Sequence, residues 1–567
     1  MNSLVIVAVS FIGYLVAYHT YGRFLAKKIF KVDARAKCPS EYLRDDVDFV
    51  PTKKEVLFGH HFASIAGLGP IVGPAIGIVW GWIPAMIWVF FGSIFMGAVH
   101  DLGSLIISVR IQGRSIGDLA STIINARVRT LFLIIIFFGL WIVIAVFALI
   151  IAILFTMYPQ AVLPIWLQIP IAVFLGHLIY RKGKNPTFLA IGAVVLMYMT
   201  VALGILFPIE IPEVFGLNAL QIWIGILLIY VYIASTLPVQ TLLQPRDYIN
   251  SYQLMVTMLL LALGVIVAHP PMVAPVVCLH PQGAPPLWPF IFIVIACGSI
   301  SGFHSLVSSG TSSKQCDNES SARFIGYGGM LTEGALATLV IVAVGAGLGM
   351  GLETGNGIMI KGTQAFSHHY SSWAAASGLT AKLESFVMGS ANMMQSLGFP
   401  IKVTVALMGV FLVSFAATTL DSATRIHRYV VSELAGAWNI NVLRGKYAAT
   451  LVVIIFAFIL AFFNGSGKGA LTLWPLFGTV NQLLAGLALL VITIYLAKRK
   501  TRTFYTALPM IFMIFMTGWA MILNLKKFFT TSNWLLFGIG VAVFILEIWM
   551  IIESFIITKK VVKPGAS

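Results

Sequence analysis

Residues 66–77 read Ala66-Gly67-Leu68-Gly69-Pro70-Ile71-Val72-Gly73-Pro74-Ala75-Ile76-Gly77. The stretch is apolar enough for a membrane-spanning helix, yet it holds two prolines and four glycines. Proline removes a backbone donor and glycine weakens helicity, so a helix broken mid-span is expected rather than a rod. A broken span survives in a bilayer only where its freed backbone groups are buried in protein or line a cavity. A second stretch has the same character: Ala234-Ser235-Thr236-Leu237-Pro238, followed by Gln240 and Gln244.

The surrounding composition places both stretches in a membrane protein. Of 567 residues, 59% are hydrophobic and 10% charged, and mean hydropathy is +0.95. Soluble globular chains carry roughly 25% charged residues. A soluble enzyme, a disordered chain and a disulfide-stapled secreted domain are thereby excluded. The net charge of +16 reads as a topology signal, not as a nucleic-acid surface. Cys38, Cys278, Cys297 and Cys316 show no metal-ligand spacing, so neither a metal site nor a disulfide is expected. No cleavable signal peptide is expected, because Arg23, Lys27 and Lys28 follow the first apolar run.

A membrane helix needs about 20 apolar residues. That ruler gives an all-α polytopic fold with about fifteen spans. They lie near 3–21, 60–79, 82–107, 130–155, 163–180, 188–207, 220–240, 252–268, 288–312, 326–350, 401–420, 447–464, 471–496, 504–524 and 534–557. Alternate loops (21–59, 108–129, 181–187, 241–251, 313–325, 421–446, 497–503 and 558–567) hold 30 of the 36 Lys and Arg. The positive-inside rule then puts the amino terminus outside and the carboxyl terminus in the cytoplasm. The longest polar stretches are 21–59 inside and 351–400 outside. In the latter, Leu379, Leu383, Phe386, Val387, Met394 and Leu397 suit a helix lying on the bundle, as a lid or a plain linker.

Counted from residue 60, the two broken stretches are spans one and six of ten, and they cross in opposite directions. An inverted five-plus-five repeat predicts that pairing, with substrate and ions held near the midplane at the broken ends. Proline kinks tolerated by packing explain either stretch alone, but not their matched positions. The organisation expected is a first helix and basic loop over 1–59, a ten-helix core over 60–425, and accessory helices with a tail over 426–567.

Intramembrane polar residues are costly and mark function or pairing. Ser301, His304, Ser305, Ser308, Thr311 and Ser312 fall on one helical face. Hydroxyls suit a bound cation and an imidazole can carry a proton, so His304, Ser308 and Ser309 are the coupling-ion candidates. Asp101 (beside His100), Glu333 and Asp421 are weaker relay candidates; Asp421 lies on a stripe with Ser414, Thr418, Ser422 and Arg425. A structural salt bridge is the competing role for each. His60 and His61 open the first broken span as candidate gate residues. Gly67, Gly69, Pro70, Gly73, Ser235, Thr236 and Pro238 form the expected substrate site. No intramembrane Arg or Lys stands out as a carboxylate clamp, so backbone dipoles are the expected anion site. No HExxH, GxSxG, phosphate loop or dinucleotide fingerprint is present, so no enzyme is expected and transport has no ATPase motor.

Several blocks resemble the carbon starvation protein A (CstA) family: Phe58-Gly59-His60-His61-Phe62-Ala63 leading into Gly69–Pro74, and Gln244-Pro245-Arg246-Asp247-Tyr248. Others are Ser301-Gly302-Phe303-His304-Ser305-Leu306-Val307-Ser308-Ser309-Gly310-Thr311, Thr418-Thr419-Leu420-Asp421-Ser422-Ala423-Thr424-Arg425 and Leu473-Trp474-Pro475-Leu476-Phe477-Gly478-Thr479. The resemblance implies a leucine-transporter-like core. It also implies proton-driven uptake of pyruvate or short peptides across a bacterial-type inner membrane. A sodium-coupled peptide or amino-acid carrier is the alternative; a nutrient sensor is the reading from another class. The expected partners are a small-molecule substrate and the lipid bilayer, with no nucleic acid. No cofactor is expected beyond the coupling proton or sodium ion.

Overall fold

A computed structural model describes residues 2–354 and 357–562; the end of the basic tail, 563–567, lies outside the described residues. Among the described residues, twelve helices are long and apolar enough to cross a membrane. They are Ser3–Ile29, Trp82–Arg110, Ala126–Met157, Pro159–Arg181, Pro186–Leu206, Ala219–Thr236, Leu243–Ala268, Glu319–Met350, Ile401–Ala437, Trp474–Lys498, Phe504–Thr530 and Trp534–Ser554. The chain is a multi-pass membrane protein. Three of the fifteen apolar runs do not form a single long helix. Residues 54–80 split into Lys54–Ile65 and Gly69–Trp80, bent by 45°. Residues 287–315 split into Leu287–Val294 and a helix starting at Gly302, with 295–301 between them. Lys446–Phe462 is a shorter apolar helix of 17 residues.

The first interruption falls where the glycines and prolines predict it; the second does not fall at 234–238. Ala219–Thr236 is a complete helix, and residues 237–242 turn into Leu243–Ala268. Pro238 marks a helix end here, since it cannot continue the helix. The last carbonyls are met by cations from other segments, as the negative end of a helix favours. Arg428 Nη1 donates to Ser235 O at 2.9 Å, Lys446 Nζ to Thr236 O at 3.1 Å, and Arg425 to Leu237 O. Asp48 holds both guanidiniums, 2.7 Å from Arg425 and 3.0 Å from Arg428.

The second interruption is held open by side chains from its neighbours. Trp88 Nε1 donates to Ile295 O at 2.7 Å and Gln482 Nε2 to Phe292 O at 2.5 Å. Gly298, at φ +87°, donates its amide to Glu333 Oε1 at 2.9 Å. Phe303 N donates to Asn481 Oδ1 at 3.0 Å. Backbone groups that a continuous helix would pair internally are thus satisfied, as a bilayer interior requires. At the first interruption, Thr418 and Thr419 hydroxyls donate to Ala63 O (3.0 Å) and Ser64 O (3.4 Å).

The two interrupted spans cross in contact. A Cβ at Gly73 would stand 2.7 Å from Val294 O and 3.3 Å from Ile295 Cα, and one at Gly69 would overlap the Cys297 side chain. Helices in lipid gain little from burying apolar surface, so close backbone approach through small residues drives their packing. Beside this crossing, Ala126–Met157 packs along Ile401–Ala437.

Opposite the basic loops, residues 357–400 cover the bundle. Helix Leu379–Gln395 buries Leu383, Phe386, Val387 and Met394, with Leu379 and Leu397 half-buried. Tyr370 Oη donates to Ala75 O at 2.5 Å, and Asn392 Nδ2 to Gly347 O and Gly351 O. The segment is seated on the Gly69–Trp80 half-helix, not strung as a loose linker.

Candidate functional site

Two buried ionic clusters flank the crossing. In the first, His304 sits between two carboxylates: Nδ1 is 3.1 Å from Asp101 Oδ2 and Nε2 is 3.2 Å from Glu333 Oε2. Asp101 Oδ1 is also 2.8 Å from His100 Nδ1. All four side chains are fully buried. Glu333 ties this cluster to the second interruption through the Gly298 amide. Asp101 is hydrogen-bonded to Nδ1, whereas Nε2 and Glu333 Oε2 face each other without a hydrogen bond among the described residues. An imidazole between two carboxylates can store one proton and pass it on when that contact closes.

The second cluster is built on the Lys54–Ile65 half-helix. His60 Nδ1 is 2.6 Å from Asp247 Oδ2, and His60 Nε2 is 2.9 Å from Thr311 Oγ1. Arg246 Nη1 contacts Asp421 Oδ2 at 2.5 Å and donates to Tyr230 Oη at 2.6 Å; Tyr230 in turn donates to Asp421 at 2.9 Å. The Ser64 and Ser422 hydroxyls, 2.8 Å apart, join this group to the first interruption. His61 Nδ1 meets Ser312 Oγ at 2.8 Å. Neighbouring histidines thus grip neighbouring hydroxyls of the other interrupted span, whose Ser308–Ser312 turn is π-helical.

The structure brings Asp101, His304 and Glu333 together and places Asp421 in the other cluster. Ser309 Oγ donates to Ser305 O at 2.6 Å and accepts from Ile116 N at 2.8 Å. The Ser308 hydroxyl is buried with no hydrogen-bond partner among the described residues. Gly67, Gly69, Pro70 and Gly73 line the crossing, Gly67 against Thr419. Ser235, Thr236 and Pro238 stand at the end of Ala219–Thr236, beside Asp48, Arg425 and Arg428. One set of three groups with ligand atoms within 4.8 Å of one another, Cys297, His304 and Glu333, has donors that suit a metal ion. A 520 Å³ crevice lies elsewhere, among Ile514, Phe515, Gly518, Trp519, Ile522 and Phe544. It is apolar and distant from either cluster, in keeping with a lipid-facing groove.

The sequence reading names no guanidinium as a carboxylate clamp, and the structure shows a buried one. Arg246 falls in a polar stretch counted as a loop, yet it is 2% exposed in the first turn of Leu243–Ala268. The stripe Gln244, Asp247, Asn250, Ser251, Gln253 and Thr257, all buried, was the available signal of an inward face.

The sequence model described as "Carbon starvation protein CstA" matches residues 2–520. The chain belongs to the CstA family. The peptide transporter CstA of Escherichia coli is 32% identical over 555 residues, covering 89% of this chain and 78% of that protein. The peptide transporter CstA of Mycobacterium tuberculosis is 33% identical over 549 residues, covering 88% and 72%. The pyruvate/proton symporter BtsT of Escherichia coli is 34% identical over 602 residues, covering 94% and 83%. Four of the CstA-like blocks meet at the two clusters: His60 and His61, Arg246 and Asp247, His304, and Asp421 and Ser422. The blocks are far apart in the chain and adjacent in space.

Proposed function

We propose that this protein is a secondary carrier that takes up a small organic nutrient, pyruvate or a short peptide, by proton symport with alternating access. It would sit in a bacterial-type inner membrane with the amino terminus outside and the carboxyl terminus in the cytoplasm. All fifteen apolar runs would cross the bilayer. The observation that carries the reading is the crossing of two interrupted spans with a buried carboxylate–imidazole–carboxylate relay bonded to one interruption. The names of the CstA-family relatives support the transport class and both substrates.

An inverted five-plus-five core is part of the proposal, with its halves set differently from the sequence reading. If all fifteen runs cross, spans 54–80 and 287–315 run oppositely, and each is followed by a long helix, Trp82–Arg110 or Glu319–Met350. Ala126–Met157 and Ile401–Ala437, next in the pairing, pack on each other. The second half then starts at residue 287 instead of 220.

Coupling runs through the backbone. A charged Glu333 accepts from the Gly298 amide more strongly than a protonated one, since charge-assisted hydrogen bonds are roughly twice as strong as neutral ones. Loading a proton on Glu333, passed on by His304, would loosen residues 295–301. Emptying the site would restore the grip. Gly67, Gly69, Pro70 and Gly73 would form the substrate site with that segment, and Ser308 and Ser309 would line the ion path. Ser235, Thr236 and Pro238 would act at its basic-side mouth. The test is counterflow and accumulation in proteoliposomes, with a pH jump against a sodium gradient. Accumulation under the pH jump alone is expected. Accumulation that follows sodium would support the sodium-coupled alternative, and binding without accumulation would support a sensor.

A further inference from the structure

The geometry points to Arg246 as the receptor for the substrate's carboxylate, with Asp421 as the counter-ion that gives way and takes up a proton when the anion arrives. This rests on the carrier reading and deepens it. Arg246 is 2% exposed, so its charge is not solvated by water. Only one corner of the guanidinium is engaged: Nη1 reaches Asp421 Oδ2 and Tyr230 Oη. The Nε and Nη2 donors make no hydrogen bond among the described residues. Nη2 stands 3.6 Å from Asp247 Oδ1, beyond hydrogen-bond reach. Nε–H and Nη2–H form one edge of the planar fork, the edge that takes a carboxylate through two parallel bonds. A buried donor left unpaired is costly, and an incoming carboxylate would recover that cost. The vacant oxygens Asp247 Oδ1 and Asp421 Oδ1 lie in the same cluster, likewise without hydrogen bonds.

The charge balance argues for the proton. Asp421 faces Arg246 and Asp247 from Leu243–Ala268, and Tyr230 from Ala219–Thr236. From Lys54–Ile65, Ser64 bonds Ser422, and His60 acts through Asp247. Arg425, one turn along the same helix, is held away by Asp48 and Leu237 O. One guanidinium therefore already serves two carboxylates. A third anion in this dry setting is tolerated only if one acid is neutralised. Asp421 shares the Arg246 corner and has a free oxygen, so it is the group that accepts a proton from the aqueous side to which the site opens. Coupling of one proton per carboxylate follows. The Ser64–Ser422 contact places this event beside the first interruption, so the exchange would reach the moving element directly.

The experiment uses the full chain in proteoliposomes, with pyruvate and dialanine as probes and pyruvamide and dialanine amide as carboxylate-free controls. Losing a charge-assisted pair costs about 1.5–3 kcal/mol, so wild type should favour each acid over its amide by roughly 10- to 100-fold in competition. Arg246→Gln should bring that ratio close to one, and Arg246→Lys should keep part of it. Asp421→Asn should lose accumulation driven by a pH jump and should make counterflow of the acids independent of pH. Equal competition by acid and amide in wild type overturns the proposal, as does a full acid preference in Arg246→Gln. If Arg246→Gln does not fold, the wild-type ratio and Arg246→Lys decide. If wild type moves none of the probes, the carrier reading fails by itself. Thermal stabilisation of wild type by pyruvate but not pyruvamide, weakened in Arg246→Lys, then still tests the receptor.

Discussion

Single residues carry the chemistry, and their neighbours decide what each can do. His304 has a carboxylate at each ring nitrogen, a geometry for holding one proton and passing it on. His304→Ala is expected to abolish pH-driven accumulation in proteoliposomes while counterflow and the thermal unfolding profile persist. Wild-type coupled uptake by that variant would remove His304 from the mechanism. Asp48 makes a different kind of prediction. Burial alone would raise its carboxyl, but Arg425, Arg428 and Lys314 outweigh that and hold it well below the usual carboxylate range. A depressed acid contributes stability that is present above its unfolded value of about 3.9 and is lost as pH falls through the folded one. Thermal stability in detergent should therefore decline below about pH 4 in wild type. Asp48→Asn should flatten that decline and should cost about 3–5 kcal/mol at neutral pH, because two guanidiniums lose their counter-charge. The sequence singled out His304, Asp101 and Glu333 by the cost of placing such groups in a bilayer. It passed over Arg246, because an arginine in a polar stretch reads the same whether it faces water or a buried aspartate.

At the scale of elements, the two interruptions have different origins. The first is written in its own residues: the glycines and prolines of 66–77 disfavour a straight helix wherever they are placed. The second, Ile295-Ala296-Cys297-Gly298-Ser299-Ile300-Ser301, contains one glycine and no proline. It stays open because Trp88 and Glu333 take its backbone groups, while Gln482 and Asn481 take those of the flanking Phe292 and Phe303. The stretch at 234–238 carries a proline and short polar residues, a signal shared by broken helices and by helix ends. The crossing itself can be tested at Gly73. Gly73→Val would press branched carbon onto the backbone at Val294 and Ile295. Overpacking of this kind costs roughly 1–3 kcal/mol. A lower unfolding temperature and loss of counterflow are expected, with Gly192→Val, which has open space around it, as the unaffected control.

For the whole molecule, the decisive property is sidedness. Residues near 270–286 and 357–400 gather at the end opposite the basic loops: Asn2 pairs with Pro271 and Trp82 N donates to Pro275 O. Loop 45–50 joins residue 239 at the other end, through Val239 N to Val47 O. Cys278 is partly exposed, whereas Cys38 and Cys316 are buried. With the amino terminus outside, a membrane-impermeant maleimide should label intact cells at Cys278 and should lose that signal in Cys278→Ser. Labelling that requires permeabilised cells would reverse the orientation. The cover over 357–400 belongs to this scale as well. Its apolar positions were legible as a helix resting on something, and the structure supplies that surface in the Gly69–Trp80 half-helix.

The sequence by itself determined the solvent, the number and placement of the apolar runs, the first broken span and the family blocks. Those follow from composition, length and backbone chemistry, which act locally. Tertiary structure alone decided where the second span opens, that Ser235 to Pro238 close a helix, and which carboxylate meets which cation. Each of those is a contest between a backbone or charged group and partners scores of residues away. In a medium without water, the partner that arrives first in space settles the outcome.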